Sequence, residues 1–357
     1  MAKSLMVSGA TLTGKTMVAL GLASRLRAKG YDVSYFKPVG ERTYGMGGES
    51  PDYDRDAELM KQVLKMGAKE ECISPILRTM SSFDEMIKKG RVALLKTIHD
   101  CYSVVSEDVD FVLIEGTEAP WHLLHIDLSS PQIAKELGAS VVCVVRFPEV
   151  EAIDEVLMHR DFFRHFGVES IGVILMMVPP MLRSTISESI APLLERHGVR
   201  FCGAIYQNRE LFNPTVRDIM KALDGQMVIG EDKLNTIVDE FVVGSMAPEN
   251  ALRWFRQKKG KAVITSGDRS DLCLAAMETD TRLLILVGSL GPDMMILTRA
   301  KELGIPIMVT AKDTYSTSQI VDHLVGSVSP ENIEKAAVVE RIVGESIDLD
   351  AIVSLMQ

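Results

Sequence analysis

Short apolar runs alternate with amphipathic stretches along nearly the whole chain. Strand-like runs fall at 5–8, 33–36, 111–114, 140–145, 171–176 and 201–205. Helical patterns such as 16–29 and 151–166 lie between them. In the second of these, Ile153, Val156, Leu157, Phe163 and Phe166 recur near helical spacing. Continuous apolar strands separated by helices predict a parallel sheet covered on both faces, a doubly wound α/β domain. Near Asn213-Pro214-Thr215 the rhythm restarts. A helix at 215–223, a short strand before Gly230 and a polar connector at 231–239 lead into a second, smaller α/β alternation. Its strands are expected at 241–243, 262–265, 283–287 and 307–310, and its helices at 247–258, 268–277, 293–303 and 314–324. The reading divides the chain into domains at 1–213 and 214–357.

Composition narrows the classes. The 357 residues are 46% hydrophobic, enough for roughly two to three domain cores. A formal net charge of -10 argues against a general nucleic-acid or membrane-surface binder. The longest apolar run, 171–177, is far short of the roughly 20 residues of a membrane span. The N-terminus enters a strand within a few residues, which leaves no room for a signal peptide. Five cysteines without a CxxC pair fit reduced thiols in a cytoplasm and give no zinc pattern. The twenty methionines fall mostly in apolar stretches and read as core filling.

The candidate chemistry starts at residue 9. Gly9-Ala10-Thr11-Leu12-Thr13-Gly14-Lys15-Thr16 satisfies G-x-x-x-x-G-K-[ST] after an apolar strand and before a helix. The glycines let backbone N–H groups converge on phosphate oxygens. Lys15 reaches the terminal phosphates, the Thr16 hydroxyl suits Mg²⁺, and the helix contributes its positive end. ATP, or another nucleoside triphosphate, with Mg²⁺ is the expected cofactor.

Lys37 ends the second strand, where strand carboxyl ends face the ligand crevice; the alternative is a solvated strand-end lysine. Glu115 ends the 111–114 run and is placed to hold Mg²⁺; the alternative is a capping carboxylate. Asp54 and Asp56 are candidates for the remaining metal contact, or else a helix N-cap cluster. The expected set is therefore Lys15, Lys37 and Glu115 for catalysis and Thr16, Asp56 and Glu115 for the metal. Lys37 would position an anionic second substrate.

These residues carry a family resemblance. The cradle, the Lys37-Pro38-Val39 step, the acidic segment near Asp56 and Ile114-Glu115-Gly116 resemble dethiobiotin synthetase. More closely, they resemble the dethiobiotin-synthetase-like N-terminal region of long bacterial phosphotransacetylases, through 129–138 and Pro214-Thr215-Val216-Arg217. The second domain resembles the DRTGG domain of the same enzymes. It does so at Thr265-Ser266-Gly267-Asp268-Arg269-Ser270-Asp271-Leu272, at Leu286-Val287-Gly288-Ser289-Leu290, at Gly304-Ile305-Pro306-Ile307 and at 313–317. The resemblance implies nucleotide binding, with Lys15 intact where those relatives often degrade it. It implies a regulatory role in central metabolism with a ligand-sensing or dimerising second domain, or else an ATP-dependent ligase acting on a carboxylate. Acetyl transfer is not expected, because the matching region ends where the acyltransferase domain of those enzymes begins. Dethiobiotin synthesis is not expected either. Thr117-Glu118-Ala119-Pro120-Trp121 replaces a small, Gly-rich segment there, and Met176-Met177 replaces the adenine-recognising Asn. Expected partners are the nucleotide, a small-molecule effector or acid substrate, a metabolic enzyme and a second copy of the chain.

Three weaker signals stay open. His122, His125 and Asp127 offer metal ligands or form a polar loop. Asp268, Arg269 and Asp271 form an anion or nucleotide effector pocket, or an N-cap with a local Arg–Asp pair. Gly45-Met46-Gly47-Gly48-Glu49-Ser50 forms a lid or a plain connection.

Overall fold

The computed structural model describes residues 2–41, 53–79, 82–147, 151–324 and 333–356; the 45–50 segment lies outside them. Two compact units divide the chain: Met1–Asn208 with Val328–Gln357, and Arg209–Ser327.

The first unit is built on β1 (Lys3–Ser8), β2 (Val33–Phe36), β5 (Phe111–Glu115), β6 (Ser140–Arg146), β7 (Ile171–Val178) and β8 (Arg200–Tyr206). They form one sheet in the order β2-β5-β1-β6-β7-β8, and every pairing is parallel. All of β5 is buried, as is β6 from Val141 to Val145. Strands this apolar on both faces need helices on both sides. The strand order reverses around β1, which opens a crevice at the carboxyl ends there. The helix Lys15–Ala28 starts in that crevice and buries Met17, Val18, Leu20, Leu22 and Leu26. Arg25 and Arg27 sit in its last turn, where they complement the helix dipole.

Two strands were not anticipated from the pattern. β3 (Val39–Glu41) and β4 (Ile76–Arg78) pair in parallel as a separate ladder that sets Glu41 opposite Arg78.

The second unit carries β9 (Gln226–Ile229), β10 (Glu240–Val243), β11 (Lys261–Ser266), β12 (Thr281–Val287) and β13 (Ile307–Val309) in the order β10-β11-β12-β13-β9. Only the β13–β9 pair is antiparallel. Alternate residues of β11 and β12 feed two cores. Val263, Leu284 and Leu286 pack with Phe255, Leu272 and Ile296. Ala262, Ile264, Leu283 and Ile285 pack with Val216, Ile219 and Val321.

The sequence reading places everything after 213 in the second domain. The structure returns the last thirty residues to the first unit. The helix Ile333–Ser346 lies so close to the helix Lys15–Ala28 that a Cβ on Gly21 would sit 2.6 Å from Val343 Cγ1. The Asp348 N–H donates to the Cys202 carbonyl at 2.9 Å, and the Ser140 hydroxyl donates to the Leu355 carbonyl at 2.7 Å. The physical reason is burial: Val339, Val343, Leu349 and Ile352 are all buried there.

Candidate nucleotide and metal site

The loop after β1 is shaped by its glycines. A Cβ on Gly9 would lie 2.3 Å from the Val144 carbonyl oxygen, so backbone passes backbone there. Gly14 has φ 91°, and a Cβ on it would lie 2.7 Å from Met176 Cε. Leu12 also takes a left-handed conformation, with φ 58°, and the Thr13 hydroxyl donates to the Ala10 carbonyl at 2.9 Å. The first N–H groups of a helix have no partner within it and are free for an anion.

Lys15 is buried. Its three donors reach the carbonyls of Gly9, Ala10 and Glu118 at 3.3, 2.9 and 2.8 Å. Burial holds its pKa below the ordinary lysine value, despite the attraction of Glu115. An ammonium satisfied only by neutral carbonyls has charge left to offer an anion.

Beside it lies a buried ionic cluster drawn from four segments. The Thr16 hydroxyl donates to Glu115 Oε1 at 3.1 Å. Lys37 Nζ lies 3.0 Å from Asp54 Oδ2, 2.6 Å from Asp56 Oδ2 and 3.4 Å from Glu115 Oε1, with 7% of its side chain exposed. Burial disfavours the Lys37 charge, but Asp56, Glu115 and Asp54 outweigh it and raise its pKa well above the ordinary range. Burial raises the Glu115 pKa, against the pull of Lys37. For Asp56, burial is overcome by Lys37, so its pKa falls.

The two aspartates separate by role. Asp54 is the N-cap of the helix Arg55–Leu64, accepting from the N–H groups of Asp56 and Ala57 at 2.9 and 3.0 Å. It also accepts from the Glu41 N–H at 2.8 Å. Its lone pairs are used. Asp56 faces Lys37 and keeps 36% of its side chain exposed.

One participant escaped the sequence reading. Tyr35, fully buried on β2, donates its phenol to Glu115 Oε2 at 2.9 Å. Burial and then Glu115 raise its pKa well above the ordinary tyrosine value, so it remains a neutral donor. The available signal was strand alternation, since Tyr35 and Lys37 share one face.

The expected set thus meets in one place: Lys15, Thr16, Lys37, Asp56 and Glu115. Its oxygen donors suit Mg²⁺, and three carboxylates against Lys37 leave negative charge for a cation to balance. The His122, His125 and Asp127 trio does not assemble. His125 packs on the Phe83 ring, with centroids 5.3 Å apart, and Asp127 accepts from Gln132 at 3.0 Å. Among the described residues, His122 instead sits with Glu41 and Glu118, their ligand atoms within 4.8 Å of one another. Arg78 already takes the cation position there, bonding Glu41 and, at 2.7 Å, Glu118. That ladder-made cluster was not legible in the sequence. Arg269 and Asp271 form the local pair, at 2.9 and 3.0 Å.

Comparison with known families decides what frame this site belongs to. The AAA domain family matches residues 3–215, more than half of the chain. The chain belongs to that family. A DRTGG domain follows at residues 218–324. The resemblance drawn from the sequence, a dethiobiotin-synthetase-like P-loop domain followed by a DRTGG domain, is borne out for both parts. Similar proteins include the phosphate acetyltransferases of Nitratidesulfovibrio vulgaris and Pseudomonas putida, each 26% identical. The matches cover 90% and 94% of this chain and 47% and 49% of theirs. The Escherichia coli enzyme is 24% identical over 98% of this chain and 52% of its own. The chain therefore spans about half the length of the curated relatives it matches.

Among solved structures, the signal recognition particle receptor FtsY of Elizabethkingia anophelis covers 58% of the chain and 60% of its own, at 15% identity and a TM-score of 0.37. The CBS and DRTGG domains of a Clostridium perfringens pyrophosphatase, complexed with its activator diadenosine tetraphosphate, cover 34% of the chain and 53% of their own. Their identity is 24% and their TM-score 0.29. With TM-scores this low, neither likeness bears on function. Among the described residues no helix is long and apolar enough to cross a membrane.

Proposed function

We propose that the first unit binds a nucleoside triphosphate, ATP in the first place, with Mg²⁺, and that the chain serves as a nucleotide-dependent regulator whose second unit takes a small-molecule ligand. The observation that supports this reading is the burial of Lys37, Asp54 and Glu115 beside the glycine cradle. The sheet does not need these charges, and burying ions costs several kcal/mol each unless they are matched.

In this reading the cradle N–H groups and Lys15 hold the phosphates, and Thr16, Asp56 and Glu115 hold Mg²⁺. Lys37 balances the carboxylates and fixes their spacing. The bound metal would neutralise charge on the phosphates. Electrostatic positioning of this kind is what phosphoryl transfer draws on.

Thermal melts with and without Mg-ATP test the proposal. Ligand at about 100-fold over its dissociation constant adds about 2.7 kcal/mol, a rise of roughly 5–10 °C for a unit of this size. Lys15→Ala should lose that rise. A wild-type melt that does not move, or an equal rise in the variant, overturns the assignment.

A further inference from the structure

Glu115 has two oxygens with different company. Oε1 faces the Thr16 hydroxyl at 3.1 Å and Lys37 at 3.4 Å. Oε2 turns away and accepts the Tyr35 phenol at 2.9 Å. Tyr35 is fully buried on the strand that pairs with β5, with Phe36 opposite Ile114. Its hydroxyl is therefore carried along the sheet to the one carboxylate at the strand end. A buried carboxylate with one oxygen unpartnered would be free to turn between the donors beside it, Thr16 and Lys37. The phenol removes that freedom.

We propose that Tyr35 is a positioning residue for Glu115, pinning Oε2 so that Oε1 is presented beside Thr16 to Mg²⁺. The proposal rests on the nucleotide and metal reading above. Partners that orient a metal ligand through its other atom commonly contribute 10–100-fold to metal affinity. A phenol that only filled space and satisfied itself would contribute to folding and nothing to the metal.

The test uses the full chain and a fluorescent ATP analogue, titrated with Mg²⁺ at fixed nucleotide and separately in the presence of a chelator. Tyr35→Phe keeps the ring and removes one oxygen. It should leave metal-free nucleotide affinity unchanged and raise the Mg²⁺ half-saturation by about 10-fold or more. In a Glu115→Gln background the same change should add no further rise, because the effect passes through Glu115. An unchanged half-saturation in Tyr35→Phe, with wild type clearly requiring Mg²⁺, overturns the positioning role alone. So does a rise that persists undiminished in the Glu115→Gln background. Wild-type binding indifferent to Mg²⁺ overturns the parent reading and this one together.

Discussion

Both units end their parallel strands in polar loops, yet the two sets of loops satisfy themselves in opposite ways. In the second unit several of the partners are close in sequence or lie at helix starts. Arg269 pairs with Asp271 at 2.9 Å, and Ser270 donates to Asp293 at 2.7 Å. Asp293 also caps its own helix by accepting the Ile296 N–H at 2.8 Å. All are water-accessible, and pairs of that kind contribute little. The buried lysine of that unit, Lys261, donates to the backbone carbonyls of Lys258 and Asp280 at 3.1 and 3.0 Å. In the first unit, by contrast, Lys37 is surrounded by carboxylates from the start of a helix, its first turn and the end of β5. Local pairing is a by-product of loop chemistry. Convergence of buried charge from separate segments is expensive, and such convergence clusters at functional sites.

The largest test of that contrast removes residues 328–357. Those residues bury Val339, Val343, Leu349 and Ile352 in the first unit. Aliphatic burial is worth about 1.5–3 kcal/mol per side chain, against a total stability of about 5–15 kcal/mol. Calorimetry of the truncated chain should show the first unit's transition lost or strongly lowered and the second unit's retained. Loss of the second unit's transition instead would assign these helices to the wrong unit.

That assignment marks the limit of what the sequence carries. The cradle is legible because its eight residues are contiguous and its glycines have local duties at Gly9 and Gly14. Lys37 and Glu115 are legible because apolar runs end at them, and the crevice of such a sheet lies at strand ends. Asp54 and Asp56 remain an open pair in sequence, since a cap and a metal ligand call for the same residue type at neighbouring positions. Tyr35 sits in the right alternation, but only the β2–β5 pairing shows which carboxylate it meets. The Glu41–Arg78 contact depends on two three-residue strands, too short to leave a periodic trace. The helices after 333 are amphipathic, and nothing local in such a pattern names the sheet that will cover it.

A smaller test compares two cations. Lys37→Met leaves Asp54 and Glu115 buried without their counter-charge, which should cost about 3–5 kcal/mol. Arg269→Ala removes an exposed local pair and should stay within about 0.5 kcal/mol. Urea unfolding of the two variants measures both. Similar costs would mean that Lys37 is no more demanding than a surface residue, and the contrast between the units would collapse.

The smallest effect lies in pH and salt. The pKa of Asp56 is lowered, chiefly because Lys37 overcomes the effect of burial, and that of Asp271 is lowered by its bond from Arg269. A lowered carboxylate pKa contributes stability above the unfolded value, about 3.9 for aspartate. That contribution is lost as the pH falls through the folded value. The stability gap between wild type and Asp56→Asn should therefore hold from pH 7 to about pH 5 and narrow below about pH 4. The same narrowing is expected for Asp271→Asn at low salt. Salt separates them: at about 1 M the screening length is about 3 Å, which should erase the exposed Asp271 gap at pH 7. The Asp56 gap should largely survive, because its partner Lys37 is 7% exposed. Unfolding midpoints for both variants at two salt concentrations decide the matter. If salt erases both gaps alike, the Asp56–Lys37 contact behaves as a surface pair, and the charge convergence on which the candidate site rests loses its energetic argument.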